Sequence, residues 1–235
     1  MKNIVNKYKV ETSGTGIYSS MKIGVLGTGV VGNTIGAKLA QLGHDVKMGS
    51  RTANNEKAAQ WVKANGTGAS QGTFAEAASF GEIVFNCTAG TGSLEALRLA
   101  SGKNLKGKIL VDISNPLDFS KGMPPTLSVC NTDSLAEQIQ RALPETKVVK
   151  TLNTISHTLM VNPGLVHGDH DVFLSGNDAA AKAKVAEILK SWFGWKSVVD
   201  MGDITTARGA EMLLPIWVRL YGLFQNPNFN FKIVR

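Results

Sequence analysis

Near the start of the chain, Gly27-Thr28-Gly29-Val30-Val31-Gly32 has the glycine spacing of a turn that holds a pyrophosphate. In such a turn Gly27 permits a tight reversal and Gly29 leaves the backbone open to a phosphate. Gly32 lets the next helix pack against the preceding strand. A helix opening there offers free N–H groups and the positive end of its dipole to an anion. Further on comes Gly49-Ser50-Arg51-Thr52. A site for NAD usually carries Asp or Glu at this point, holding the ribose 2′-hydroxyl. Here an arginine between two hydroxyl residues takes that place, and a guanidinium pairs bidentately with phosphate. The expected ligand is therefore NADP. Lys57 is a second candidate for the 2′-phosphate, with an ordinary solvated lysine as its alternative reading.

These residues need a strand, a turn, a helix and a second strand to position them. Ile23 to Leu26 is a short apolar run bounded by glycine, which predicts a buried strand. Val31, Ile35, Leu39 and Leu42 share a helical face that stops at Gly43, and His44 to Met48 reads as the second strand. The alternation continues. Helices are expected at Asn55–Ala64, Phe74–Phe80, Ser93–Ser101, Ser134–Leu143 (capped by Asp133) and Asp178–Ser191. Strands are expected at Thr67–Ser70, Glu82–Cys87, Lys108–Asp112, Lys147–Lys150, Val172–Ser175 and Ser197–Asp200.

A last helix runs from about Ile204 to Leu220, bent at Pro215. It is apolar on more than one face, which predicts burial on two sides and a homodimer. The fold class is α/β: a Rossmann-type doubly wound, mainly parallel sheet with a C-terminal helical segment. Residues 1–20 are read as a loosely ordered extension lacking the apolar core of a signal peptide. Residues 21–200 form the dinucleotide-binding domain, and 201–235 a helix and tail packing on the cleft or dimer interface.

Ligands of such sheets bind beyond the carboxyl ends of the strands. Three exits fall there, at Thr88-Ala89-Gly90-Thr91-Gly92, Ile113-Ser114-Asn115-Pro116-Leu117 and Thr151-Leu152-Asn153-Thr154-Ile155-Ser156. Thr88, Ala89, Asn115, Pro116 and Asn153 are the candidates for the nicotinamide end of the cofactor. No catalytic acid or base can be assigned. A GxSxG elbow is missing, and Cys87, in an apolar strand, reads as a buried reduced thiol. His167 and His170 sit in a glycine-containing turn without a third ligand at fixed spacing, so no metal site is expected. The net charge is +7 without a basic run, which suits an anionic cofactor and gives no ground for a nucleic-acid partner. No apolar stretch approaches a membrane span, and a cytoplasmic protein is expected.

Four stretches in order, Met21–Arg51, Lys108–Leu117, Val148–Ser156 and Gly202–Leu220, resemble the NADP-dependent deazaflavin (coenzyme F420) oxidoreductase family. They are also similar to the related reductase domain of the six-transmembrane metalloreductases. The resemblance covers nearly all of residues 21–235. It implies that Ser50 and Arg51 bind the 2′-phosphate and that the exits near Ala89, Asn115 and Asn153 form the nicotinamide and acceptor region. The family's lysine on the next helix falls at Lys57, across two extra residues. The Thr88–Gly92 stretch is smaller and more polar than a deazaflavin stacking site is expected to be.

The implied reaction is hydride transfer between nicotinamide and a flavin- or deazaflavin-like small-molecule acceptor. It depends on orientation and exclusion of water more than on an acid or base. Two alternatives share the nucleotide domain. One is an NADPH-dependent reductase of a small carbonyl or imine, which needs a large helical substrate domain; only residues 201–235 follow the last predicted strand. Lys150 and Asn153 lie three apart, but at a strand exit rather than on a helix. The other is a non-catalytic NADP-binding redox sensor.

Overall fold

The apolar runs Ile83-Val84-Phe85 and Ile109-Leu110-Val111 have no alternating pattern because both of their faces are covered, as in a parallel sheet. The computed structural model of the chain describes residues 19–235. The expected N-terminal extension, except for Ser19 and Ser20, lies outside them.

The first half of the fold comprises β1 (Lys22–Leu26), α1 (Val30–Gln41), β2 (Asp45–Ser50), α2 (Glu56–Asn65), β3 (Ala69–Thr73), α3 (Phe74–Phe80) and β4 (Ile83–Asn86). Then come α4 (Gly90–Ala100), α5 (Gly102–Leu105), β5 (Ile109–Asp112) and a small hairpin, β6 (Leu117–Asp118) with β7 (Thr126–Leu127). The second half adds α6 (Leu135–Ala142), β8 (Lys147–Thr151), α7 (His157–Val161), β9 (Asp171–Gly176), α8 (Ala179–Ser191) and β10 (Ser197–Asp200). It ends with α9 (Ala207–Met212) and α10 (Leu214–Phe224).

The main sheet runs β10-β9-β8-β5-β4-β1-β2-β3. Neighbours are parallel except β8 and β9, which pair antiparallel, so the doubly wound, mainly parallel expectation holds. The chain leaves β1 toward β2 and β3, then crosses to β4 on the other side of β1. That reversal opens a crevice beyond the carboxyl ends of β1 and β4. On one face of the sheet Ile35, Leu39, Trp61 and Val185 pack with Val25 and Phe85. On the other, Ala77, Leu97 and Ile139 pack with Leu26 and Leu110. Each such large side chain, fully buried, contributes about 1.5–3 kcal/mol relative to exposure.

Three expectations need correction. First, α4 starts at Gly90 rather than Ser93, so Gly90-Thr91-Gly92 is a helical turn and not a loop. Glycine and threonine are poor helix formers and hide this start. Close packing requires glycine here, because a Cβ at Gly90 would lie 1.8 Å from the Asn115 carbonyl oxygen.

Second, Ser134 caps α6, its hydroxyl accepting from the Glu137 N–H at 3.1 Å. Asp133 instead pairs with Arg141 at 2.7 Å. Third, the final helix is not one bent rod: a 3-10 turn (Ile204–Thr206) leads into α9, and Leu213 separates α9 from α10. Pro215 sits in the first turn of α10, where its missing N–H costs nothing. Within the chain only Leu214 of α10 is buried.

Candidate active site

The glycines of the first turn divide by what surrounds them. Gly27 has a φ of +112°, and a Cβ there would lie 2.7 Å from the Cys87 carbonyl oxygen. At Gly32 a Cβ would lie 2.1 Å from the Gly27 carbonyl oxygen. The fold itself demands both. At Gly29 a Cβ would meet nothing within 4 Å, and Gly29 borders the crevice. A ligand approaching the backbone accounts for a glycine that the protein does not need.

The helices above the crevice are open in the same sense. Gly29 caps α1 and Ala89 caps α4, and neither supplies a side-chain acceptor to the first turn. The ends of α2, α3, α6 and α8 are closed by Asn55, Thr73, Ser134 and Asp178. In α1 the Asn33 amide donates to the carbonyl oxygens of Thr28 and Gly29, both at 3.0 Å. The N–H groups of Val30, Val31 and Gly32 thus retain their capacity for an anion. No acidic residue stands in that turn.

At the end of β2 the Ser50 hydroxyl is buried and donates to the Thr52 carbonyl oxygen at 2.5 Å, which braces the turn. Arg51 and Thr52 are exposed. The Arg51 guanidinium lies against the first turn of α4, with Nη2 3.9 Å from where a Gly92 Cβ would stand. Arg51 makes no ion pair among the described residues. Nearby Glu95 pairs with Arg98 at 2.7 Å, which, with help from Arg51, holds its carboxyl below the usual range. Lys57 is exposed on the first turn of α2, and no hydrogen bond or ion pair among the described residues joins it to Arg51.

Across the strand exits the crevice has two compartments. One, of about 510 Å³, is bordered by Val30, Thr88, Ala89, Ser114 and Phe119. The other, of about 360 Å³, is bordered by Ile155, Met160, Leu214, Trp217 and Tyr221. Val31, Ile113, Asn115 and Leu117 belong to both. Asn115 and Asn153 tie two exits together: Asn115 donates to the Asn153 carbonyl oxygen at 2.8 Å and accepts from the Asn153 amide at 3.2 Å. Pro116 borders neither compartment. Its carbonyl oxygen accepts from the Ser128 N–H at 2.8 Å, so it braces the hairpin behind the site. Ser156 Oγ and Trp217 Nε1 are buried without a hydrogen-bond partner among the described residues, and both side chains border the second compartment.

Beneath this surface lies a network of buried polar groups that the sequence reading missed. Thr88 donates to Asn86 Oδ1 at 2.7 Å, and the Asn86 amide donates to Asp112 Oδ1 at 2.8 Å. Lys150 Nζ stands 2.9 Å from both Asp112 Oδ2 and Glu211 Oε1, and donates to the Ser114 carbonyl oxygen at 2.5 Å. The carboxylate of Glu211 accepts from the N–H groups of Leu135 and Ala136, where the dipole of α6 favours negative charge. Burial alone pulls the lysine pKa down, but Asp112 and Glu211 outweigh it, so Lys150 stays charged with its pKa above the ordinary value. Lys150 is a strut that binds α9 to the exits of β5 and β8. The available signal was positional: Asn86 and Asp112 are the polar ends of otherwise apolar strands, with Lys150 near the end of a third.

Other candidates stand apart. The Cys87 thiol is pushed up by burial and by Asp112. His170 has Nε2 3.0 Å from the Pro163 carbonyl oxygen and Nδ1 2.8 Å from the Asn230 amide, so both ring nitrogens are engaged. Among the described residues no three His, Cys, Asp or Glu side chains cluster to hold a metal.

Residues 22–116 match the family described as NADP oxidoreductase, coenzyme F420-dependent. A crystal structure of a candidate F420-dependent NADP reductase from Arthrobacter sp. FB24 is 57% identical, with a TM-score of 0.87, over 92% of this chain and 100% of that one. The F420-dependent NADP reductase of Methanocaldococcus jannaschii is 33% identical over 50% of this chain. The metalloreductase STEAP3 of Rattus norvegicus is 31% identical over 83% of this chain. The chain spans 52% of the length of the former and 38% of the latter.

Proposed function

Because the chain belongs to the coenzyme F420-dependent NADP oxidoreductase family, we propose that it is an NADP(H)-dependent oxidoreductase moving hydride to or from a flavin- or deazaflavin-like acceptor. One observation carries the cofactor assignment: two uncapped helix ends and the open side of Gly29 adjoin Arg51, which has no ion-pair partner among the described residues, with no acid at the end of β2. In this reading Gly27 to Gly32 and the first-turn N–H groups of α1 hold the pyrophosphate. Arg51 and Thr52 hold the 2′-phosphate from the edge of the crevice, with Lys57 adding charge at longer range. Ser50 shapes their turn from beneath. Thr88, Ala89 and Asn115 orient the nicotinamide, and Asn153 fixes Asn115.

Bound NADPH supplies the hydride chemistry. What the chain adds first is placement and dryness. Met160, Leu214, Trp217 and Tyr221 give the second compartment apolar walls suited to a planar ring, and water excluded there cannot compete for the reacting atoms. The unpaired Ser156 hydroxyl and Trp217 indole N–H suit the carbonyl and amide edge of such a ring. The test uses NADPH carrying deuterium at the transferable position and a deazaflavin as acceptor. Direct transfer leaves deuterium on carbon in the reduced ring, read by mass spectrometry; loss of the label to water contradicts it.

A homodimer through α10 and a cytoplasmic location belong to the same proposal. Ile216, Tyr221 and Phe224 leave an apolar face of α10 exposed at 50%, 43% and 52%. A monomeric mass by light scattering contradicts the dimer. Cys87 and Cys130 are both free, as is usual in a reducing compartment. Among the described residues no helix is long and apolar enough to cross a membrane.

A further inference from the structure

We propose that His157 is the proton donor and acceptor of the reaction, working through Nε2 on the acceptor bound in the second compartment. The inference rests on the acceptor reading given above. His157 opens α7 and borders the compartment opposite α10. Its Nδ1 lies 3.0 Å from Thr34 Oγ1. The Thr34 hydroxyl has one proton and gives it to the Val30 carbonyl oxygen at 2.8 Å. Thr34 can therefore only accept from the ring, which makes Nδ1 the N–H nitrogen and leaves the Nε2 lone pair free to take a proton. Nε2 has no hydrogen-bond partner among the described residues. The histidine is half-buried, held at one nitrogen by α1 and open at the other.

The chemistry needs such a group. Hydride delivery to a ring carbon breaks the dihydronicotinamide C–H bond with its electron pair and forms a C–H bond on the acceptor. The added charge collects on a conjugated ring nitrogen. An anion there, between Met160, Leu214 and Trp217, has apolar surroundings that disfavour it. His157 Nε2 passes its proton to that nitrogen, and solvent returns one to the imidazole. The balance is NADPH, acceptor and one proton giving NADP⁺ and the dihydro-acceptor. In reverse, neutral Nε2 removes the same proton. Among the described residues bordering the compartment there is no other histidine and no carboxylic acid, lysine or cysteine. Around it, Tyr221 stands on α10 and Lys38 lies one helical turn beyond Thr34 on α1. Lys150 and Glu211 are sealed within the buried strut.

The experiment compares the parent protein with His157→Gln and Thr34→Val in both directions across about pH 5 to 8, where imidazoles titrate. Reduction of the deazaflavin by NADPH should slow with rising pH in the parent, and oxidation of the reduced deazaflavin by NADP⁺ should speed up. In His157→Gln both dependences flatten and the rates fall by roughly 10² to 10⁴-fold, the usual worth of a general acid. NADPH affinity, read by fluorescence, stays within about twofold and shows that the variant is folded. A second readout needs no turnover: ¹⁵N NMR of the parent should show His157 as the Nδ1–H tautomer, and Thr34→Val should lose that preference. An Nε2–H tautomer in the parent, or unchanged rates and pH dependence in His157→Gln, overturns the proposal. A parent that binds NADPH but turns over no planar acceptor overturns the acceptor reading instead, and the proton role with it.

Discussion

Apart from α5, α7, α9 and α10, which are short or continue a preceding helix and also lack side-chain caps, the helix N-termini fall into two groups, and the contrast between them bears on the function. Those of α2, α3, α6 and α8 are closed by the chain's own side chains, and α6 receives a carboxylate from Glu211 as well. The ends of α1 and α4, which face the crevice, have no side-chain partner. A side-chain cap is worth about 1 kcal/mol, so an open end forgoes stability. The same division runs vertically through the site. Lys150, Asp112 and Glu211 below the surface satisfy one another, while Arg51 above it has no ion-pair partner among the described residues. The groups of the strut are paired, while Arg51 and the first-turn N–H groups of α1 are left for a ligand; Thr88 and Asn115, on the crevice wall, are engaged with Asn86 and Asn153.

The largest expected effect breaks the paired half. Glu211→Ala strips Lys150 of one of its two carboxylates and the first turn of α6 of its acceptor, so unfolding free energy should fall by about 3–5 kcal/mol in urea titration. A loss under about 1 kcal/mol would show that the strut is not stabilising. On the open half, Arg51→Ala should leave stability unchanged and weaken NADPH binding by about 1.5–3 kcal/mol, with NADH binding hardly altered. Equal affinity of the parent for both cofactors contradicts the assignment.

The glycines sharpen the division within one turn. Gly32→Ala forces a Cβ into the Gly27 carbonyl and should cost about 1–3 kcal/mol of stability. Gly29→Ala, at φ −77° with open space beside it, should leave stability unchanged or raise it by up to about 1 kcal/mol while weakening NADPH binding. If Gly29→Ala instead binds NADPH as the parent does, no phosphate approaches that backbone.

The smallest effect concerns pH. Arg141 holds the Asp133 carboxyl down to about 2. A lowered folded-state value means stabilisation that is complete above the unfolded value, about 3.9, and is lost as pH falls through about 2. Arg141→Ala should flatten the stability curve between pH 4 and 2, roughly the window between those values. An unchanged slope would assign acid sensitivity elsewhere.

The parts legible in sequence are those whose signals are local. The glycine turn, β1, α1 and the residues closing β2 lie in one continuous stretch, and the Gly32 contact with the Gly27 carbonyl lies wholly within it. The apolar strands needed only their own composition. The start of α4 was hidden because the contact requiring Gly90 comes from the Asn115 carbonyl, on a different strand exit. The strut was invisible for the same reason: Asp112, Lys150 and Glu211 are far apart in the chain and meet only after the sheet forms and α9 folds back. Ser50 and Pro116 show the reverse case, since the right residue types at the right positions serve as braces. The role of His157 is not legible in the sequence because it depends on Thr34, a residue of α1.

The measurement that tests the account most directly is NADPH oxidation, followed by absorbance, against a panel of deazaflavin, FMN, FAD, ferric chelates, keto acids and imines, with NADH as control. Turnover with deazaflavin or a flavin, and little with NADH, is the expected result. Turnover confined to a carbonyl or imine, or none at all despite NADPH binding, contradicts hydride transfer to a planar ring in this crevice.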